Sequence, residues 1–254
     1  MKRVIGALLI GLGAFVLIAG VLSLVWASNA VKRTPLDVDS VTKLSGTATV
    51  GDYTGPVSAT SITLADTSES TDDIVVFRGS SCLVKDPDGT APDCVEAEDP
   101  SEALISADTE VFATDRETAE GVSDAEALPA SATPKSGQVN KWPFDAKKKD
   151  YGYWDSVTNT EVTAVFDRED EIDGLDVYVY TVNVDRQPVE IAAGIDGFYT
   201  SEKTISIDPR TGTIIRQAET QSRETTDGEP VLDLDFAFTE DTVRRICRGS
   251  ERYA

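Results

Sequence analysis

The distribution of apolar and polar positions divides this sequence into two unequal parts. Val4 to Trp26 carries no charged residue, and at about 1.5 Å per residue a helix over it spans roughly 34 Å, enough to cross a bilayer. The uncharged run continues to Ala30, Trp26 sits at its outer end where an indole favours the headgroup region, and Lys2 and Arg3 precede it. These features predict a cytoplasmic tail over residues 1–3 and one N-terminal transmembrane helix over residues 4–30, with the remainder of the chain outside. Ser28-Asn29-Ala30 has the small residues of a cleavage site, but the apolar run exceeds the roughly 7–15 residues of a signal-peptide core. An uncleaved anchor is therefore expected.

From residue 31 onward the period changes to two. Thr47, Thr49, Thr60, Ile62 and Leu64 alternate with small residues around Gly51, Gly55 and Pro56, as in an early hairpin, and Ile74 to Phe77 reads as a short buried strand. Val162, Ala164 and Phe166 form one alternating strand. Asp173-Gly174 turns it, and LDVYVYTVNV alternates again. Ile205 and Ile207 precede Asp208-Pro209-Arg210-Thr211-Gly212, a turn in which proline presets φ and glycine accepts a positive one, and Ile214 and Ile215 follow. A last strand, VLDLDFAF, separates Leu232, Leu234, Phe236 and Phe238 from Asp233 and Asp235. Strands with one apolar face and few amphipathic helices predict a mainly β extracytoplasmic domain over 31–254, an antiparallel curved sheet or open barrel.

Residues 86–137 break this texture. They are acidic, small and proline-spotted, with Leu104, Ile105, Val111 and Phe112 as apolar anchors, and predict loops with one short strand or helix. Neither DPDG nor DREDEIDG supplies the ligand run of a calcium loop, so these acids are expected to be solvated and no metal site is expected.

Charge and composition narrow the function. With 45 Asp+Glu against 23 Lys+Arg, a net charge of −22 and no histidine, the chain lacks the clustered cations of a nucleic-acid binder and the imidazoles of the common triads and zinc sites. No cofactor is expected. Cys82 and Cys94 bracket a turn-rich segment and are expected to form a disulfide, as an oxidising compartment allows; Cys247 is left over.

The one basic spot is Asn140 to Asp155, NKWPFDAKKKDYGYWD. It sets Trp142, Phe144, Tyr151, Tyr153 and Trp154 beside Lys147, Lys148 and Lys149. Amphipathic rings and long lysine stems suit a headgroup boundary, which makes these eight residues candidates for lipid or membrane contact. The same residues also suit a local mini-core with its lysines solvated.

WPFDAKKKDYGYWD, the DGLDVYVY hairpin, the IDPRTGTI turn and the opening KRVIGALLIGLGAFVLIAG together resemble the actinobacterial PorA-type family of membrane-associated proteins. The resemblance implies an ectodomain held by a membrane helix at each end and, from the porin label, a role in the envelope. This chain departs from the pattern by stopping at VRRICRGSERYA without a second apolar helix, which implies a single-anchor variant or a shortened frame.

Three classes of function follow. The first is a non-enzymatic binding module, anchored in the plasma membrane, whose concave apolar face holds a lipid or lipoglycan. The second is a structural or assembly partner of other envelope proteins, favoured if that face is filled and the sheet edges are exposed; a porin-like role would need oligomers, because short strands rich in Asp, Glu, Arg and Thr lack a lipid-facing band. The third is an acyl enzyme built on Ser40-Val41-Thr42-Lys43, an SxxK string, with Lys135-Ser136-Gly137 as a loose KTG echo. No enzymatic activity is expected, because no SDN counterpart accompanies them.

Overall fold

The computed structural model describes residues 32–250, apart from 98, 100 and 193. The predicted anchor over 4–30 lies outside the described residues; among those, no helix is long and apolar enough to cross a membrane.

Ten antiparallel strands make one sheet. The first four, β1 (Asp39–Val50), β2 (Tyr53–Ala65), β3 (Ile74–Lys85) and β4 (Leu104–Asp115), form one meander. The second meander contains β5 (Tyr151–Asp155), β6 (Thr160–Ile172), β7 (Leu175–Ala192), β8 (Ile195–Ile207), β9 (Ile214–Thr225) and β10 (Pro230–Phe238). They join where β1 pairs with β10, so the order is β4-β3-β2-β1-β10-β9-β8-β7-β6-β5 and the sheet curls as a half-barrel. The turns follow their chemistry: Asp173 and Gly174 carry φ of 52° and 83° between β6 and β7, the double positive φ of a type I′ hairpin.

Two expectations require correction. Leu104–Asp115 is a full 12-residue strand inside the segment read as mostly loop. Its middle is exposed and polar because it is an edge strand, so alternation does not mark it. The strands are also not short: most run 12 or 13 residues and β7 runs 18, because the curled sheet continues each strand past its buried part.

The sequence reading also omitted a helix, α1 (Glu240–Ser250). Thr239 caps it, its hydroxyl accepting from the Thr242 N–H at 3.2 Å, and Glu240 and Asp241 in the first turn suit the helix dipole. Val243 and Cys247 bury against Ile172, Leu175, Val177, Val179 and Ile215. Since Val177 and Val179 alternate with Tyr178 and Tyr180, α1 covers the face of β7 opposite Tyr180.

The other face holds the larger core. Trp142, Ala146, Tyr153, Ala164, Tyr180, Val182, Ile205 and Ile207 form one cluster, and Ala48, Val57, Leu83, Leu232 and Leu234 a second. On β8 the buried Tyr199, Ser201, Lys203, Ile205 and Ile207 alternate with Thr200, Glu202 and Thr204, which are exposed. That alternation defines an inward and an outward side.

Candidate functional site

The aromatic segment is a mini-core. Trp142 is fully buried, stacked on Tyr153 at 5.8 Å and tilted against Tyr180 at 5.2 Å between centroids. Its backbone N–H donates to the Gly212 carbonyl at 2.8 Å, which seats the segment on the β8–β9 turn. Gly212 has a φ of +73°, and a Cβ there would lie 1.9 Å from the Trp142 carbonyl oxygen, so the turn needs glycine for both conformation and approach. The Tyr180 hydroxyl donates to the Lys147 carbonyl at 2.9 Å, fixing the chain as it leaves the core.

The candidate residues divide by side. Trp142, Tyr153 and Trp154 are buried, Phe144 and Tyr151 are half-buried, and Lys147, Lys148 and Lys149 are exposed. Lys148 pairs with Glu169 at 2.6 Å, while Lys149 lies 4.8 Å from the Tyr151 ring centre. Only the lysine turn and the edges of Phe144 and Tyr151 are therefore presented to solvent. Cys82 and Cys94 are joined by a disulfide that ties the loop after β3 back onto that strand.

A charged cluster that the sequence reading passed over lies at the centre of the inward face. Lys203 Nζ is 2.5 Å from Asp155 Oδ2 and 3.6 Å from Glu219 Oε1, with all three side chains buried. Tyr199 and Ser201 hydroxyls both donate to Glu219 Oε1, at 3.1 and 2.9 Å. Asp155 also accepts from the Val157 and Thr158 amides and the Thr158 hydroxyl. Burial alone would raise the Asp155 carboxyl, but the Lys203 charge and these hydrogen bonds hold it below the ordinary range. Burial likewise pulls the Lys203 ammonium down, and Glu219, Tyr153, Tyr199 and Asp155 outweigh it and hold it up. Burial raises the Tyr199 hydroxyl. Asp155 and Lys203 are thus kept charged, and the cluster is satisfied by its own members. A signal existed for Lys203, which shares the parity of Ile205 and Ile207 on β8 and so points inward with them. For Glu219 there was none, because the register shift between Ser206 and Ile207 turns Ile215 toward α1.

The SxxK residues do not assemble as a nucleophile and base. Ser40 and Lys43 both lie on β1, where positions three apart point to opposite faces, and Lys43 Nζ pairs with Asp93 at 2.6 Å. Lys135 is 6% exposed and hydrogen-bonds Glu110. Among the described residues no group of His, Cys, Asp and Glu could hold a metal ion.

A cleft of about 430 Å³ opens on the outward side of the sheet. Thr49, Thr200, Glu202, Thr220, Asp233 and Asp235 are among its lining residues.

Fold and site together define a disulfide-stapled, curled-sheet module with a satisfied ionic cluster inside and a small-residue polar surface outside. The chain belongs to the porin PorA family, whose family model matches residues 5–253. Among solved structures, a LolA-superfamily protein from Nitrosomonas europaea is similar at 10% identity over 84% of this chain and 91% of that one, with a TM-score of 0.18. No curated protein sequence matches the chain.

Proposed function

We propose that this PorA-family chain is a non-enzymatic, extracytoplasmic module of the cell envelope that works as an assembly partner, docking other envelope proteins on its outward face. The observation that carries this reading is the filling of the inward face. Trp142, Tyr180, Tyr199, Ile205 and Ile207 are wholly buried there, around a salt-bridged Lys203. A lipid or lipoglycan carrier needs that volume for an acyl chain. The disulfide supports an oxidising location, and the apolar stretch to Ala30 supplies the anchor to the plasma membrane.

The strands are long enough to span a bilayer as a barrel, but exposed Thr47, Thr49, Glu202, Asp233 and Asp235 face outward, where lipid contact requires apolar groups. Pore formation by this chain alone is therefore not part of the proposal. Photo-crosslinking residues placed at Thr49 and Thr220 in the full chain should give discrete protein adducts in intact cells, with no stoichiometric lipid extracted from the purified protein. About one lipid per chain, with no adducts, overturns the reading.

A second mode of contact is favoured by the exposed Lys147, Lys148 and Lys149 beside half-buried Phe144. This turn suits the anionic surface of the membrane that holds the anchor.

A further inference from the structure

The two edge strands, β4 and β5, are nine steps apart in sheet order, a flat distance of about 43 Å at about 4.8 Å per step. They nevertheless meet on the strap of chain between them, residues 116–150. The Val122 N–H donates to the Ala113 carbonyl of β4 at 2.9 Å, and the Gly121 N–H to the Gly137 carbonyl at 2.8 Å. The Gln138 N–H donates to the Gly152 carbonyl of β5 at 2.8 Å, and the Trp154 N–H to the Gln138 carbonyl at 2.9 Å. A path of backbone hydrogen bonds therefore joins both edges through isolated bridges, whereas the β1–β2 ladder is continuous from Asp39 to Val50.

Lys135 pins this seam. It is 6% exposed, hydrogen-bonds Glu110 of β4, and sets its ammonium 4.8 Å from the Phe112 ring centre of β4 and 5.9 Å from that of Trp154 on β5. The strap fits because its backbone is bare at two points: a Cβ on Gly121 or Gly137 would meet backbone carbon of Lys135 or Gly152 at 2.7 Å. The same region carries unmet hydrogen bonds. Among the described residues, the buried side-chain atoms without a hydrogen-bond partner are Thr114 Oγ1, Asn140 Oδ1, Trp142 Nε1 and Trp154 Nε1. All sit on the strap or on the strands it joins. Few backbone bonds and unmet polar groups make this the least stabilised closure of the sheet.

We infer that the β4–β5 seam is a clasp that opens as one unit, with Lys135 as its pin, while the ten-strand ladder stays paired. Opening uncovers Phe112 and Trp154 and gives access to the inward face at that end. The inference goes beyond the docking reading, because it needs no partner.

Amide exchange of the full chain in detergent micelles tests it. In the unmodified protein, the amides of Gly121, Val122, Gln138 and Trp154 should share one opening rate and exchange faster than those of β8 and β9. Lys135→Met should speed that group about tenfold, the factor for losing one charge-assisted hydrogen bond, and leave β8 and β9 unchanged; Lys135→Arg should restore most of the protection. Unrelated rates within the group, or an equal rise across the whole ladder in Lys135→Met, overturns the clasp. Should Lys135→Met fail to fold, the grouping of rates in the unmodified protein decides alone.

Discussion

Lys203 of β8 and Asp155 of β5 touch at 2.5 Å although β6 and β7 lie between their strands in sheet order. Three strand spacings of about 4.8 Å put them about 14 Å apart in a flat sheet, beyond the reach of the two side chains. Their contact is therefore a direct consequence of the curl, and it closes one half of the inward face over its own core.

Breaking the pair on one side should be severe. Asp155→Ala leaves Lys203 with only the longer Glu219 contact at 3.6 Å, Lys203→Met strands two buried carboxylates, and each should cost about 3–5 kcal/mol of unfolding free energy. The double variant, which removes both charges, should lose less than the sum. Urea unfolding of all four proteins measures the coupling; strictly additive losses would show that the two groups act independently.

The acid limb of stability should depend on Asp155. Its folded carboxyl is held below the ordinary range, while in the unfolded chain it titrates near about 3.9. The unfolded state takes up the proton first, so the stabilisation is full above about pH 5 and is lost as pH falls through the folded value. Lys203 acts at the other end: it is raised, so its contribution is complete below about 10.4 and is lost only as pH rises through its folded value. Unfolding midpoints of Asp155→Asn between pH 3 and 7 should fall less steeply than those of the unmodified chain, and parallel slopes would remove Asp155 as the cause.

Lys141 should give a rise in stability on the alkaline side. Burial pushes its ammonium down to about 8, against the pull of the Phe144 ring at 3.7 Å, which favours the charge. Between about 8 and 10 the unfolded chain holds this proton and the folded one releases it, so stability increases with pH. Lys141→Met should abolish that increase and stabilise the protein at pH 7 by about 1–3 kcal/mol. A variant that is less stable at pH 7 would mean that contacts of the ammonium outweigh its desolvation.

Cys82 and Cys94, with a sequence separation of 12, close a short loop, and opening it should cost about 3 kcal/mol by chain entropy. Alkylation should label one thiol, that of Cys247, in denatured unreduced protein and three after reduction. A Cys82→Ser/Cys94→Ser variant should melt at lower temperature; an unchanged melting point would assign the loop no part in cooperative unfolding.

Replacing Lys147, Lys148 and Lys149 with Ser should weaken binding to vesicles containing anionic lipid and leave thermal stability nearly unchanged. The reason is that all three are exposed, and the Lys148 pair with Glu169 is a surface one worth little. The measurement is co-sedimentation of the chain without its apolar opening stretch, provided its melting transition stays cooperative. Equal binding by both proteins would leave the turn as a solvated surface only.

Period-two alternation alone determined most strands of the second meander, the hairpin at Asp173-Gly174 and the turn closed by Gly212, because each depends on neighbours in the chain. The curved antiparallel sheet followed from them. Local signals were weak for β4, which has a polar exposed middle, whereas the 11-residue α1 carries a legible Thr239 cap and acidic first turn but only a short apolar stripe to mark it.

The sequence likewise placed Trp142, Tyr153 and Trp154 in one segment without deciding whether they met lipid or each other. Only the tertiary structure decided that, by bringing Tyr180 of β7 and Gly212 of the β8–β9 turn, both far along the chain, against Trp142. It also decided the partners of Lys203 and the closure of the edges on Lys135. Alternation shows which side of a strand a residue faces, but the amount of curl determines what it meets there, and curl is set by the packing of the whole sheet.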